Sequence, residues 1–247
     1  MIIIDAPSPN FGPRKENKKI KFLVLHYTGR PTAFESLRLL QGKDPSHEVS
    51  AHYLIDEEGG VTRIVDEAMR AWHAGKSCWE REEDVNSCSI GVEIQNPGHE
   101  YGYVRFPEIQ MSAVAELCKG IIERHRILPY HVLAHSDIAP GRKTDPGEKF
   151  PWASLAQQGV GLWPDVTETD ALDAENVWQN PEDIKSLLTR YGYDSRCDLK
   201  TLVTAFHRHF EPEIFDAPEK IGAENLNTIS RMQALMRQKL ALRPRLY

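Results

Sequence analysis

Residues Lys19 to Gly29 read KIKFLVLHYTG. Four apolar residues, Phe22 to Leu25, run together, His26 follows, and glycine ends the run. So short an apolar run bounded by a turn residue reads as a buried strand with His26 near its carboxyl end. Working outward, PTAFESLRLLQG carries helical spacing from Phe34 through Leu37 and Leu40. AHYLIDEEGGVTRIVDE reads as a hairpin of two alternating segments joined at Glu57 to Gly60. SIGVEIQN is another core strand, and HVLAHSD a further short one. Between them PEIQMSAVAELCKGIIERHRI is a long amphipathic helix with its stripe on Ile109, Val114, Leu117, Ile121 and Ile122. Strands alternating with helices predict an α/β fold, a mixed central sheet flanked by helices.

The character changes after Trp152. Residues 161–180 show little periodicity and read as a linker between a first domain, 1–160, and a second, 181–247. In the second, helical patterns carry Ile184, Leu187, Leu188 and Tyr191; then Leu199, Leu202, Val203, Phe206 and Phe210; then Ile229, Met232, Leu235 and Met236. They predict a small three-helix C-terminal domain with one shared core.

Composition bounds the function. The chain has 247 residues and a formal charge of −6, which argues against a nucleic-acid partner with its usual demand for a basic face. No window approaches the roughly 18 apolar residues of a membrane span. The opening MIIIDAPSPNFGPRK makes a poor signal peptide, because Asp5 follows only three isoleucines and no basic segment precedes them. The expected location is therefore cytoplasmic, the alternative being the periplasm or cell envelope after removal of a leader. Cys78, Cys88, Cys118 and Cys197 form no CxxC pair and read as reduced thiols, with a Cys78–Cys88 disulfide as the alternative.

The turn Leu133 to Gly147, LAHSDIAPGRKTDPG, crowds a histidine, two aspartates, an arginine and a lysine between prolines and glycines. His26 and His135 both end apolar strands, where α/β sheets bind ligands. Two histidines and one carboxylate suit Zn²⁺ with a fourth position open for water. Asp137 and Asp145 both offer that carboxylate, and Asp137 reads equally as a turn cap. The spacing alone also fits a hydrogen-bonded structural cluster. Glu93 on its strand reads as a plain ion-pairing acid, and Arg142 and Lys143 as solvated loop charges. His52 reads as a buried structural histidine. His47, His99, His125, His131, His207 and His209 read as surface side chains.

FLVLHYTG, SAHYLID, RAWHAG, SIGVEIQN and AHSDIAPGRKTDPG, in this order from Lys21 to Trp152, resemble the zinc-dependent N-acetylmuramoyl-L-alanine amidases. This is the amidase-2 family, related to phage lysozyme-type amidases and peptidoglycan recognition proteins. The resemblance implies a peptidoglycan hydrolase that cuts the amide between N-acetylmuramic acid, or its 1,6-anhydro form, and the L-alanine of the stem peptide. It implies zinc ligands at His26, His135 and Asp145, an acidic catalytic residue at Glu93, and a lysine near the metal at Lys143. The segment around Trp72 and His73 lines the cleft in that family, so both are expected to touch substrate, with Arg63 pairing a stem-peptide carboxylate. The tail resembles the small helical peptidoglycan-binding module of two-domain amidases. The competing expectations are a non-catalytic muropeptide-binding or sensing module, and a zinc hydrolase of a different amide.

Overall fold

A computed structural model describes residues 1–16, 18–43, 48–178 and 180–242; His47 lies outside the described residues. The chain opens with strands β1 (Ile3–Asp5), β2 (Phe11–Pro13) and β3 (Phe22–Tyr27). Helix α1 (Ala33–Leu40), the hairpin β4 (Tyr53–Ile55) and β5 (Val61–Arg63), then β6 (Met69–Ala71) and β7 (Ser89–Ile94) follow. Next come α2 (Gly98–Tyr101), α3 (Glu108–His125), β8 (Val132–Ala134), α4 (His135–Ile138) and α5 (Trp152–Gln157). Helices α6 (Glu168–Val177), α7 (Pro181–Tyr191), α8 (Leu199–Phe210) and α9 (Leu226–Leu242) complete it.

Six strands form a mixed sheet in the order β1-β5-β4-β7-β3-β8. Strands β4, β7, β3 and β8 run parallel, while β5 is antiparallel to β4. Strand β3 shows why its sequence is continuously apolar. Phe22 and Val24 face one side, where they join Leu133, Ile138, Phe206 and Leu235. Leu23 and Leu25 face the other, against Val114 and Ile121 of α3 and Trp152 of α5. A strand covered on both faces buries every side chain, each worth about 2 kcal/mol. A second small sheet pairs β2 with β6. Arg14, just past β2, donates to the carbonyls of Glu67, Asn86 and Ser89 and so staples three segments together.

Two helix stripes differ from expectation. Phe34 is 68% exposed and Ile109 62% exposed. In α1 the inward side holds Ser36, Leu37 and Leu40, and at 100° per residue Phe34 is turned away. In α3 the buried face runs through Met111, Val114, Leu117, Cys118 and Ile121, and Ile109 in the first turn points outward.

Helices α7, α8 and α9 pack together, and their apolar residues merge with the sheet's into one core that includes Phe22 and Val24. The stretch 161–180, expected as a linker, carries α6. Thr167 caps it and pairs reciprocally with Asp170, whose carboxylate also takes the Arg237 guanidinium of α9 at 2.9 Å. A helix held by a cap and an ion pair lacks the apolar stripe that periodicity detects. His207 and His209 are buried rather than exposed. His209 stacks between Trp152 and Phe210, because α8 is covered on the sheet side as well as by its helical neighbours. His131 is also buried, edge-on to Phe22 and bonded to Glu80. All four cysteines are free. Among the described residues no helix is long and apolar enough to cross a membrane.

Candidate active site

The ladder of parallel strands assembles the site. His26 and Glu93 are register partners on β3 and β7, and Leu25 pairs with Ala134 on β8, which brings His135 beside His26. Register partners in a parallel pair project to the same side, so three neighbouring carboxyl ends deliver two imidazoles and one carboxyl to one place. Asp145 returns on the turn after α4, where its carbonyl accepts the Ser136 N–H at 3.0 Å. The glycine two residues later is required there: a Cβ on Gly147 would stand 2.3 Å from the Tyr103 hydroxyl, which itself donates to Pro146 O. His26 Nδ1, His135 Nδ1 and Asp145 Oδ2 then lie 2.9 to 3.0 Å apart, all buried.

The surrounding hydrogen bonds fix which ring nitrogens carry protons. The Ser89 hydroxyl donates to Val85 O at 2.6 Å, so its oxygen accepts from His73 Nε2–H at 3.0 Å. His73 Nδ1 is therefore bare and accepts from His26 Nε2–H at 3.0 Å. That leaves His26 Nδ1 bare. On the other side His135 Nε2 can only donate to the Ala74 carbonyl, 3.1 Å away, which leaves its Nδ1 bare too. Arg142 donates to the same carbonyl at 2.8 Å and steadies it. Burial pushes His26 down to about 4, and His135 adds to that, so the His26 ring is neutral at pH 7. Three lone-pair atoms thus face each other, and one shared proton bridges only one pair of them. A cation satisfies all three, and two imidazole nitrogens with a carboxylate oxygen are a donor set that zinc accepts.

Glu93 stands next to this cluster. Its Oε2 is buried and has no hydrogen-bond partner among the described residues. Burial raises its pKa well above the ordinary value, Asp145 raises it further, and Lys143 pulls the other way. Lys143 and Trp72 line the same cleft of about 660 Å³, with Glu93, His26, His135 and Asp145 at its floor. A neutral-leaning carboxyl, a half-buried cation and a bare three-ligand cluster in one cleft are equipped to move a proton and stabilise a developing oxyanion.

The structure sorts the remaining candidates. His73 lines the cleft but is buried and engaged at both ring nitrogens, so it orients His26. Gly91 makes room for it, since a Cβ there would lie 2.4 Å from the His73 ring. Arg63 sits on β5, is not among the residues lining the cleft, and pairs with Asp5 at 2.7 Å. The outer strand β1 supplies a carboxylate beside it that sequence periodicity did not reveal. Asp137 is engaged elsewhere, accepting from Ala134 N–H, the Tyr193 hydroxyl and His209. His52 accepts the Gly91 N–H at 2.9 Å and donates to Met69 O, a structural role. Ser89 and Arg142 are functional partners that sequence reasoning missed; they act through a backbone carbonyl or a second histidine and leave no motif.

Known proteins resemble the chain in sequence and in fold. The sequence profile of N-acetylmuramoyl-L-alanine amidase matches residues 16–148. The N-acetylmuramoyl-L-alanine amidase AmiD of Escherichia coli (strain K12) is 38% identical over 218 residues, 80% of this chain and 77% of that protein. A solved complex of AmiD from E. coli with the substrate anhydro-N-acetylmuramic acid-L-Ala-D-γ-Glu-L-Lys superposes with a TM-score of 0.76 at 34% identity, covering 91% of each chain. AmpDh3 from Pseudomonas aeruginosa, in complex with anhydromuramic pentapeptide, superposes with a TM-score of 0.77 at 32% identity, covering 91% of this chain and 94% of that one. With residues 16–148 matching that profile and most of its length shared in sequence and fold with these enzymes, the chain belongs to the N-acetylmuramoyl-L-alanine amidase family.

Proposed function

We propose that the chain hydrolyses the amide between 1,6-anhydro-N-acetylmuramic acid and the L-alanine of a peptidoglycan stem peptide, using one zinc ion held by His26, His135 and Asp145. The observation that carries this reading is the convergence of His26 Nδ1, His135 Nδ1 and Asp145 Oδ2, with the unpartnered Glu93 carboxyl on the neighbouring strand. The anhydro form is favoured because both solved relatives hold anhydromuramic peptides.

Zinc, when bound, supplies Lewis acidity that makes water nucleophilic near neutral pH. The chain's own residues do the rest. Glu93 Oε2 takes the proton of the attacking water and delivers it to the alanine nitrogen as the C–N bond breaks. Its raised pKa suits both halves of that transfer. Lys143 places its ammonium toward the oxygen that gains charge, worth about 3 kcal/mol for one preorganised group. His73, Ser89 and Arg142 keep the two imidazoles turned with their bare nitrogens inward. Trp72 offers an apolar wall to the sugar or the peptide.

We read residues 1–160 as the catalytic domain and 181–247 as a substrate-holding helical domain, with 161–180 between them. Helix α8 supports this by closing a cavity of about 280 Å³ with Thr201 and Arg208 against Lys143 and Thr144. We place the reaction in the cytoplasm, which four free cysteines suit.

The test is incubation with anhydro-N-acetylmuramic acid-L-Ala-D-γ-Glu-L-Lys, with and without a chelator, followed by mass spectrometry. Release of the tripeptide that stops with chelator and returns with zinc supports the proposal. Binding without release would favour a sensing module, and release indifferent to chelator would remove zinc from the reaction.

A further inference from the structure

The cleft continues past its catalytic floor. A second cavity of about 520 Å³ adjoins it and shares Arg30, Leu39 and Tyr101 as common wall. Its other charged lining is Arg38, Lys43 and Glu35, so three cations face one acid in a chain whose formal charge is −6. Among the described residues, Arg30, Arg38 and Lys43 have no ion-pair partner, although acidic side chains are abundant on the surface. Helix α1 holds Arg38 near its carboxyl end, and the turn after β3 holds Arg30 four residues beyond His26. The basic groove therefore begins beside the metal-facing wall.

The chemistry of the substrate says which end belongs there. A γ-linked glutamate leaves its α-carboxylate free, and the last residue of the stem adds another. The anhydromuramic side carries no charge until its amide is cut. All negative charge on an intact muropeptide therefore lies on the peptide side of the scissile bond. We infer that the groove lined by Arg30, Arg38 and Lys43 is the peptide-side subsite, taking the free carboxylates of the second and third stem residues and sending the sugar to the opposite end of the cleft. The inference rests on the amidase reading above. Guanidinium and ammonium groups in a half-open groove give orientation and on-rate more than raw affinity.

The test compares two substrates that differ in one charge: anhydro-N-acetylmuramic acid-L-Ala-D-γ-Glu-L-Lys, and its counterpart with isoglutamine, in which a carboxamide replaces the α-carboxylate. The wild-type chain is expected to favour the carboxylate by about fivefold in kcat/KM, the upper range for one partly exposed ion pair. In the double variant Arg38→Ala/Lys43→Ala that ratio is expected to fall toward one, and in the wild type to shrink as salt rises from 50 to 500 mM. Because the ratio is internal, a poorly folded fraction lowers both rates without moving it. A wild-type ratio of one, or a ratio unchanged in the double variant, overturns the inference while leaving the amidase intact. Release of peptide from neither substrate by the zinc-loaded wild type overturns the amidase reading, and the subsite with it.

Discussion

Asp137 and His209, 72 residues apart in the chain, meet at 2.6 Å in the interior. The same carboxylate accepts the Ala134 N–H and the Tyr193 hydroxyl, each at 2.8 Å. It lies two residues past His135, so α8 and the segment after α7 are fastened directly to the turn that presents the His135 imidazole. Asp137→Ala would strand three buried donors, and we expect a loss of about 3–5 kcal/mol in urea unfolding together with weaker metal retention. Tyr193→Phe should cost only about 1 kcal/mol and keep the metal. Equal losses in the two variants would show that Asp137 does not organise this junction.

The relay from Ser89 through His73 to His26 makes a separate prediction. Removing His73 frees the His26 ring to turn or to place a proton on the wrong nitrogen. His73→Ala should weaken zinc binding by about 10–100-fold, the usual cost of losing an outer hydrogen-bond partner, and Ser89→Ala by less. Competition against a chromophoric chelator reads this out without any assay of activity. Unaltered zinc affinity in His73→Ala would refute the relay.

Glu93→Gln should lower kcat by about 10²–10⁴-fold with zinc content unchanged, as metal analysis can establish. Lys143→Ala should cost about 10²–10³-fold. The pH dependence follows from the buried Glu93 carboxyl, whose pKa stands well above 4.5. A base works only when deprotonated, so kcat/KM should fall as pH drops through that raised value. Lys143 holds the Glu93 pKa down, so Lys143→Ala should move this acidic limb to higher pH. A limb that stays put in the lysine variant would separate the two residues.

Glu67 governs acid stability far from the cleft. Burial alone would raise it, but hydrogen bonds from Arg124, His125 and Tyr53 bring it down to about 2. A carboxylate depressed from 4.5 contributes stability that is complete above that pH and lost as pH falls toward 2. Glu67→Gln should therefore cost about 2 kcal/mol at neutral pH, with the gap to wild type closing between pH 4.5 and 2. Urea midpoints across that window test it, and a gap independent of pH would assign the loss to packing.

What the sequence revealed and what it hid divide along physical lines. The apolar run of β3, the strand that carries Glu93 and the strand that leads into His135 were legible because a strand buried on both faces writes itself as uninterrupted hydrophobicity. Helix α6 was not, since a reciprocal cap and the Asp170–Arg237 pair hold it in place of an apolar stripe. His207 and His209 looked like surface residues because a polar side chain on a doubly covered helix resembles one on a wet face. Arg63 looked available because its partner Asp5 comes from a strand 58 residues earlier. The outward turn of Phe34 and Ile109 depends on where each helix lands, which spacing within the helix does not encode.

The pairing of His26 with Glu93 across two parallel strands has one last consequence. Because the pleat alternates, deleting a single residue from β3 upstream of His26 would swing the imidazole to the α3 side of the sheet, leaving the carboxyl alone. Loop insertions near Pro140 would merely lengthen the tether to Asp145. Frame along the strand, rather than chemical identity alone, is what this catalyst cannot lose.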